Sequence, residues 1–186
     1  MPEFFNVLPP DEARRLLLEN VTAIAESELL FTADALDRVT RESIRAPQPL
    51  PGFRRSSMDG YAVRAMDTHG AGENLPAFLQ VTSEVPMGKR AAMSLSVGQA
   101  ALVHTGGMLP DSADAVVQLE HTQRVGSSGA ERFPFEIEVF RAVAAGQNVI
   151  QIGEDIGQGD VLIADGRLLR PQDIGGLLAL GITRVA

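Results

Sequence analysis

The 186-residue chain contains no cysteine. That excludes disulfide staples, thiolate metal sites and cysteine nucleophiles, and it fits a reducing compartment, so a cytoplasmic protein is expected. Basic residues are in the minority, with 16 Lys and Arg against 24 Asp and Glu and a formal charge of -8. A field of that sign repels phosphate backbones and anionic lipid surfaces, which argues against nucleic acid or a membrane as partner. No apolar run approaches the roughly 20 residues that span a bilayer, and the N-terminus MPEFFNVLPPDEARR lacks a basic start followed by an apolar stretch. The three histidines, His69, His104 and His121, stand at spacings that form no ligand pattern. Each is expected to be exposed or hydrogen-bonded in a structural role. The phosphate-binding loop, the zinc-protease helix, the nucleophile elbow and the dinucleotide-binding glycine fingerprint are all missing.

What is present suits a core-forming chain: 45% of residues are hydrophobic, and the length allows one large domain or two small ones. LPPDEARRLLLENV predicts a helix, with proline in its first turn, Asp11 and Glu12 at the positive end of the dipole, and Ala13, Leu16 and Leu17 on one face. TADALDRVTRESI predicts a second, with Thr32 as cap and Ala35, Leu36, Val39 and Ser43 on one side. RAPQPLPGFRR, with three prolines in five residues, reads as a linker. Beyond it the apolar period changes to two. YAVRA, AFLQVTS, AALVH, DAVVQL and FPFEIEVF are expected strands of a small β domain. In the last of these, Phe133, Phe135, Ile137 and Val139 alternate with Glu136 and Glu138, so one face is buried and the acidic face is solvated. VLIADGRLL reads as a hairpin turning at Asp165-Gly166 in type I′ geometry. RPQDIGGLLALGI predicts a closing helix with Ile174, Leu177 and Leu178 on its stripe and Gly181 at its C-terminal cap.

Two loops next to these strands combine hydroxyls, glycines and charge. The first is Ser56 to Gly60, where Asp59-Gly60 reads as a tight corner; the second is Thr105 to Pro110, where a hydroxyl leaves a strand beside two glycines. Loops held on a rigid β scaffold are where binding groups concentrate. MGKR, Met87 to Arg90, is a basic glycine turn that reads as surface.

The stretches LPGFRRSSMDGYAVRAMDT, HTGGMLPDSADAVVQLEHT, GQNVIQIGEDIGQGDVL and GRLLRPQDIGGLLALGITRV, in this order, resemble the N-terminal half of the molybdopterin molybdenumtransferase family, MoeA-like proteins and the gephyrin E domain. The resemblance runs from Ala33 to the C-terminus. It implies a role in molybdenum cofactor biosynthesis, in which adenylylated molybdopterin is hydrolysed with help from magnesium and molybdenum passes to the dithiolene. Molybdate and molybdopterin are then substrates, and tungstate shares the charge and shape of molybdate. On this resemblance Asp59 matches the aspartate of the MDGYA motif and is a candidate magnesium ligand, and Thr105 matches the threonine of the TG-x-x-x-P loop. Both are the expected catalytic residues. Ser56, Arg55, Gly106 and Asp155 are expected to contact substrate, with the Thr105 hydroxyl and glycine amides receiving an oxyanion.

The chain departs from the family pattern at Arg54 and Arg55, where an acidic or amide residue is common, and at Gln151 and Ile152, where arginine is common. Arg54 or Arg55 is expected to take over any anion binding that an arginine at those later positions would provide. Asp37 stands where glycine is common and is expected to be structurally neutral. The implied fold is mixed α and β, β-rich and elongated: a discontinuous α/β domain of residues 1–50 and 142–186, with a β domain of residues 51–141 inserted. The family's pterin-binding domain is expected to follow such a chain and to complete a site shared between two subunits. The expectation is therefore a homodimer that supplies half of the site and is inactive alone. The alternative is a non-catalytic dimerisation or scaffold module.

Overall fold

The computed structural model describes residues 7–21, 26–126 and 133–186. Residues 1–6, 22–25 and 127–132, which belong to the expected 1–50 and 51–141 segments, lie outside the described residues. In chain order the elements are helix α1 (Pro10–Asn20), strands β1 (Leu30–Phe31), β2 (Ile44–Arg45), β3 (Arg55–Ser56), β4 (Gly60–Val63), β5 (Ala77–Glu84), β6 (Gln99–Val103), β7 (Ala115–Gln118), β8 (Thr122–Arg124), β9 (Phe135–Val139), β10 (Val149–Ile150) and β11 (Val161–Ile163), helix α2 (Pro171–Ala179) and strand β12 (Arg184–Val185). The architecture is mixed α and β and β-rich, as expected.

Alternating apolar residues assemble a six-stranded sheet in the order β7-β4-β6-β5-β9-β8. All its neighbours are antiparallel except β5 and β6. Residues one step apart point to opposite faces. Tyr61, Val63, Leu79, Val81, Leu102, Val117, Ile137 and Val139 therefore pack on one face. Ala62, Ala101, Val103 and Val116 pack on the other, under Val85, Leu95 and Leu109 from the connecting loops. β9 has the predicted sidedness: Ile137 and Val139 are fully buried and Glu136 is exposed. Burying one such aliphatic side chain stabilises the fold by about 1.5–3 kcal/mol.

A third apolar cluster joins residues far apart in sequence: Ala35 with Ile163, Leu169, Leu177 and Val185. β1 pairs with β12 and β2 with β11, both antiparallel. α2 begins as the sequence predicts, with Pro171 in its first turn and Asp173 accepting the Arg170 N–H at 3.0 Å. It is followed by Gly181 at φ +76.

Four local expectations are corrected. The segment from Thr32 to Ile44 is not a helix; only Thr32–Asp34 forms a 3₁₀ turn. The buried Thr32 and Thr40 hydroxyls instead donate to the carbonyls of Ile182 and Ala164, each at 2.8 Å. Asp37 interrupts the segment at φ +61, a left-handed conformation that Asp tolerates. Long-range hydrogen bonds thus override a weak helical preference. VLIADGRLL is not a hairpin: β11 pairs with β2, and of the two turn residues only Gly166 has positive φ, whereas type I′ needs both. The proline-rich stretch is not a free linker, since Ala46 and Leu50 donate to Asp160 and Ile156 carbonyls at 2.9 Å. Finally, α1 buries no residue, and its predicted core face of Ala13, Leu16 and Leu17 is exposed. Among the described residues no helix is long and apolar enough to cross a membrane.

Candidate functional site

Gly60 opens β4 between two strands, opposite Val103 of β6 and Gln118 of β7. A Cβ on Gly60 would lie 2.0 Å from the Val117 carbonyl oxygen, so only glycine lets the chains approach this closely. The reason is packing and not a left-handed turn, because neither Asp59 nor Gly60 has positive φ. The expected tight corner is instead the bend that leads into a central strand.

That placement delivers Asp59 to the end of β6, where Thr105 emerges. Asp59 Oδ1 accepts the Thr105 N–H at 2.8 Å and the Thr105 hydroxyl at 3.1 Å. These two donors, the backbone N–H foremost, hold the Asp59 carboxyl below its ordinary range; burial opposes them and the charge of His104 adds to them. Oδ2 has no partner among the described residues. Asp59 is therefore an ionised carboxylate with one oxygen committed to a loop and one open.

The second loop is locked to the first. Ser56 is fully buried, and its hydroxyl donates to the Met58 carbonyl at 2.5 Å. The Gly106 N–H donates to the Ser56 carbonyl at 2.8 Å, and the Ser56 N–H to the Gly107 carbonyl at 2.9 Å. The Gly107 N–H closes onto the His104 carbonyl at 2.8 Å. Every amide and hydroxyl donor from Thr105 to Gly107 is thus already bonded. These donors, which the resemblance offers to an oxyanion, are all used within the chain in this structure.

Arg55 pairs with Ile150 of β10, and the loop after β10 carries Asp155. Arg55 Nη2 lies 3.6 Å from Asp155 Oδ2. The six residues chosen from the sequence therefore meet in three pairs, Asp59 with Thr105, Ser56 with Gly106 and Arg55 with Asp155, on adjoining strand ends. Arg54 is not available to an anion: its guanidinium donates to the carbonyls of Ala113 at 2.9 Å and Asp111 at 3.0 Å and clamps that turn.

Sequence reasoning missed Glu84. At the end of β5 its Oε1 lies 2.8 Å from His104 Nε2, which fits the expected hydrogen-bonded role of that histidine. The signal was the parallel pairing of β5 with β6, which brings two strand ends to the same edge. The MGKR turn also lies against this loop, with the Met87 sulfur 3.6 Å from where a Gly107 Cβ would stand, and Lys89 and Arg90 are exposed. Among the described residues no three His, Asp or Glu side chains converge on a metal position. Magnesium takes about six oxygen ligands, and Asp59 alone does not make its site.

Residues 8–181 match the family model described as the MoeA N-terminal region, domains I and II. The chain belongs to this family. It is 33% identical over 178 residues to the molybdopterin molybdenumtransferase of Bacillus subtilis, covering 96% of the chain and 40% of that protein. It is 31% identical over 193 residues to gephyrin of Dictyostelium discoideum, covering 96% of the chain and 25% of that protein. The crystal structure of the MoeA molybdopterin biosynthesis protein from Pyrococcus horikoshii OT3 superposes with a TM-score of 0.88 at 40% identity, over 96% of the chain and 45% of the other. The chain thus spans less than half the length of these relatives.

Proposed function

We propose that this chain is the N-terminal portion of a molybdopterin molybdenumtransferase acting in molybdenum cofactor biosynthesis in the cytoplasm. The observation that carries the reading is the Asp59–Thr105 bond pair at the mouth of β4 and β6. It fixes an ionised carboxylate on a rigid edge with one oxygen free, and such an oxygen can orient a water or hold its proton next to a substrate. Thr105 acts through Asp59: its two donors hold the carboxylate in place and keep it charged. Molybdate and adenylylated molybdopterin are the substrates in this reading, and magnesium, where the reaction uses it, takes further ligands from outside this chain.

The separate cluster that joins Ala35 to Ile163, Leu169, Leu177 and Val185, apart from the two clusters on the sheet, supports a division into a discontinuous domain of residues 1–50 and 142–186 and an inserted domain of residues 51–141, although Val143 packs with the sheet. The chain then supplies half of a site that a pterin-binding domain completes, and it is inactive alone. Release of AMP from adenylylated molybdopterin by the 186-residue chain with molybdate would overturn the half-site reading.

The bare apolar surface of α1 favours assembly as a second role. Leu17 and Leu18 are 64% and 62% exposed, and no residue of the helix is buried among the described residues. A homodimer covers such a surface, and a scaffold module would use the same contact without chemistry. Sedimentation equilibrium decides this point: a monomer at every concentration rules the homodimer out.

A further inference from the structure

We propose that Arg55 is the anion-binding group beside this site and that its guanidinium takes a tetrahedral oxyanion. The donors that a sequence would nominate for an oxyanion are already occupied. Thr105 gives both of its donors to Asp59, and the Gly106 and Gly107 amides donate to main-chain carbonyls. Arg54, one residue away, is bonded to the turn at Asp111 and Ala113. Arg55 is the contrast. Its Nε is buried with no hydrogen-bond partner among the described residues. Its Nη2 stands 3.6 Å from Asp155 Oδ2, beyond hydrogen-bond distance. A buried N–H without a partner is uncommon in a folded protein and marks a place where a ligand or an ordered water belongs.

The backbone around Arg55 is held from both sides, by Ile150 on β10 and by an antiparallel bridge to Met108. Ser56 turns its side chain into the protein, so the alternation of β3 sends Arg55 the other way. The Arg55 side chain as a whole is 34% exposed. A guanidinium presents parallel N–H groups that match two oxygens of a tetrahedral anion, which an ammonium does not. Asp155 then has a defined part: it neutralises Arg55 through a long, weak contact while the site is empty, and it competes with an incoming anion.

The identity of the ligand rests on the transferase reading above. The anion is either free molybdate or a phosphate of the nucleotide-bearing substrate, and both are tetrahedral oxyanions.

The test follows the arginine Nε–H resonances of the 186-residue protein by NMR during titration with sodium molybdate, sodium phosphate and, at matched ionic strength, sodium chloride. The Arg55 signal is expected to shift saturably with one or both oxyanions and to ignore chloride, while that of Arg54 stays in place. The tighter of the two oxyanions names the source. Arg55→Gln should weaken binding at least about tenfold, as loss of a bidentate charged contact does, and Asp155→Asn should tighten it about threefold by removing the competitor. An Arg55 signal that neither oxyanion moves overturns the proposal, as does weaker binding in Asp155→Asn. The decisive signal is read in the wild-type protein, so it survives a variant that fails to fold. It is also read without catalysis: full activity of Asp59→Asn in a full-length enzyme would overturn the transferase role of Asp59 and leave the anion site standing, and a motionless Arg55 signal would do the reverse.

Discussion

The dipeptide Asp-Gly occurs twice, at Asp59-Gly60 and at Asp165-Gly166. Both aspartates accept a hydroxyl hydrogen bond through Oδ1, from Thr105 at 3.1 Å and from Ser43 at 2.8 Å, and both carboxyls are held below their ordinary range, Asp59 first by the Thr105 N–H and then by its hydroxyl, Asp165 first by the Ser43 hydroxyl. The glycines differ. Gly166 sits at φ +67 with nothing within 4 Å of an added Cβ, so its task is conformational. Gly60 has an ordinary φ, and its missing Cβ lets the Val117 backbone come close. One pair makes a surface turn and the other anchors a loop to the middle of a sheet. A perturbed carboxylate therefore does not separate a candidate site from a turn, whereas its attachment to buried strand ends does.

The largest test of this contrast is Gly60→Ala. The 2.0 Å approach to backbone leaves no flexible group to yield, so the variant should lose at least about 3 kcal/mol of stability or fail to fold, judged by urea unfolding. Gly166→Ala meets only the left-handed penalty of about 1–2 kcal/mol. A smaller loss at Gly60 than at Gly166 would break the comparison.

The next test concerns chemistry. In a full-length enzyme, Asp59→Asn should reduce metal insertion at least about tenfold, or about 1.4 kcal/mol of transition-state stabilisation, without lowering Tm by more than a few degrees. Asn retains an oxygen for the Thr105 N–H but loses the charge. Thr105→Ala should act in the same direction and more mildly, because the Thr105 N–H remains. Equal activity in Asp59→Asn and the wild type would reduce Asp59 to a loop brace.

A pH series sharpens the comparison further. Both carboxyls are depressed in the folded state, so each contributes stability that is present above its unfolded value of about 3.9 and lost as pH falls through its lower folded value. The wild-type protein should lose stability in acid below about pH 4, and Asp59→Asn and Asp165→Asn should each flatten part of that loss in guanidinium unfolding series. A steeper acid loss in either variant contradicts the sign of these shifts. The smallest effect is expected for Asp165→Asn at neutral pH, with the urea midpoint nearly unchanged and activity unaltered.

Much of the sheet was legible because a strand buried on one or both faces writes its environment into adjacent residues. Tyr61, Val81, Val103, Val117 and Ile137 follow that rule. The closing helix was legible for a similar local reason, since Pro171, Asp173 and Gly181 mark its ends within a few residues of one another. The motifs also marked the two loops that the Asp59–Thr105 hydrogen bonds join. Their donors were not legible, because hydrogen-bond use depends on partners such as Asp59 and Thr105, which stand 46 positions apart.

Sequence by itself therefore determined the period-2 strands, the last helix, the family and the position of the loops that carry Asp59, Thr105, Arg55 and Asp155. Tertiary structure alone decided that Thr32 and Thr40 tie an expected helix to residues 150 and 124 positions away, and that the prolines run along a ladder with residues 156–160. It also decided that Arg54 is hydrogen-bonded to its turn while Arg55 Nε has no hydrogen-bond partner among the described residues. Local patterns record how much water each side chain meets; which donor meets which acceptor is set only when distant segments close on one another.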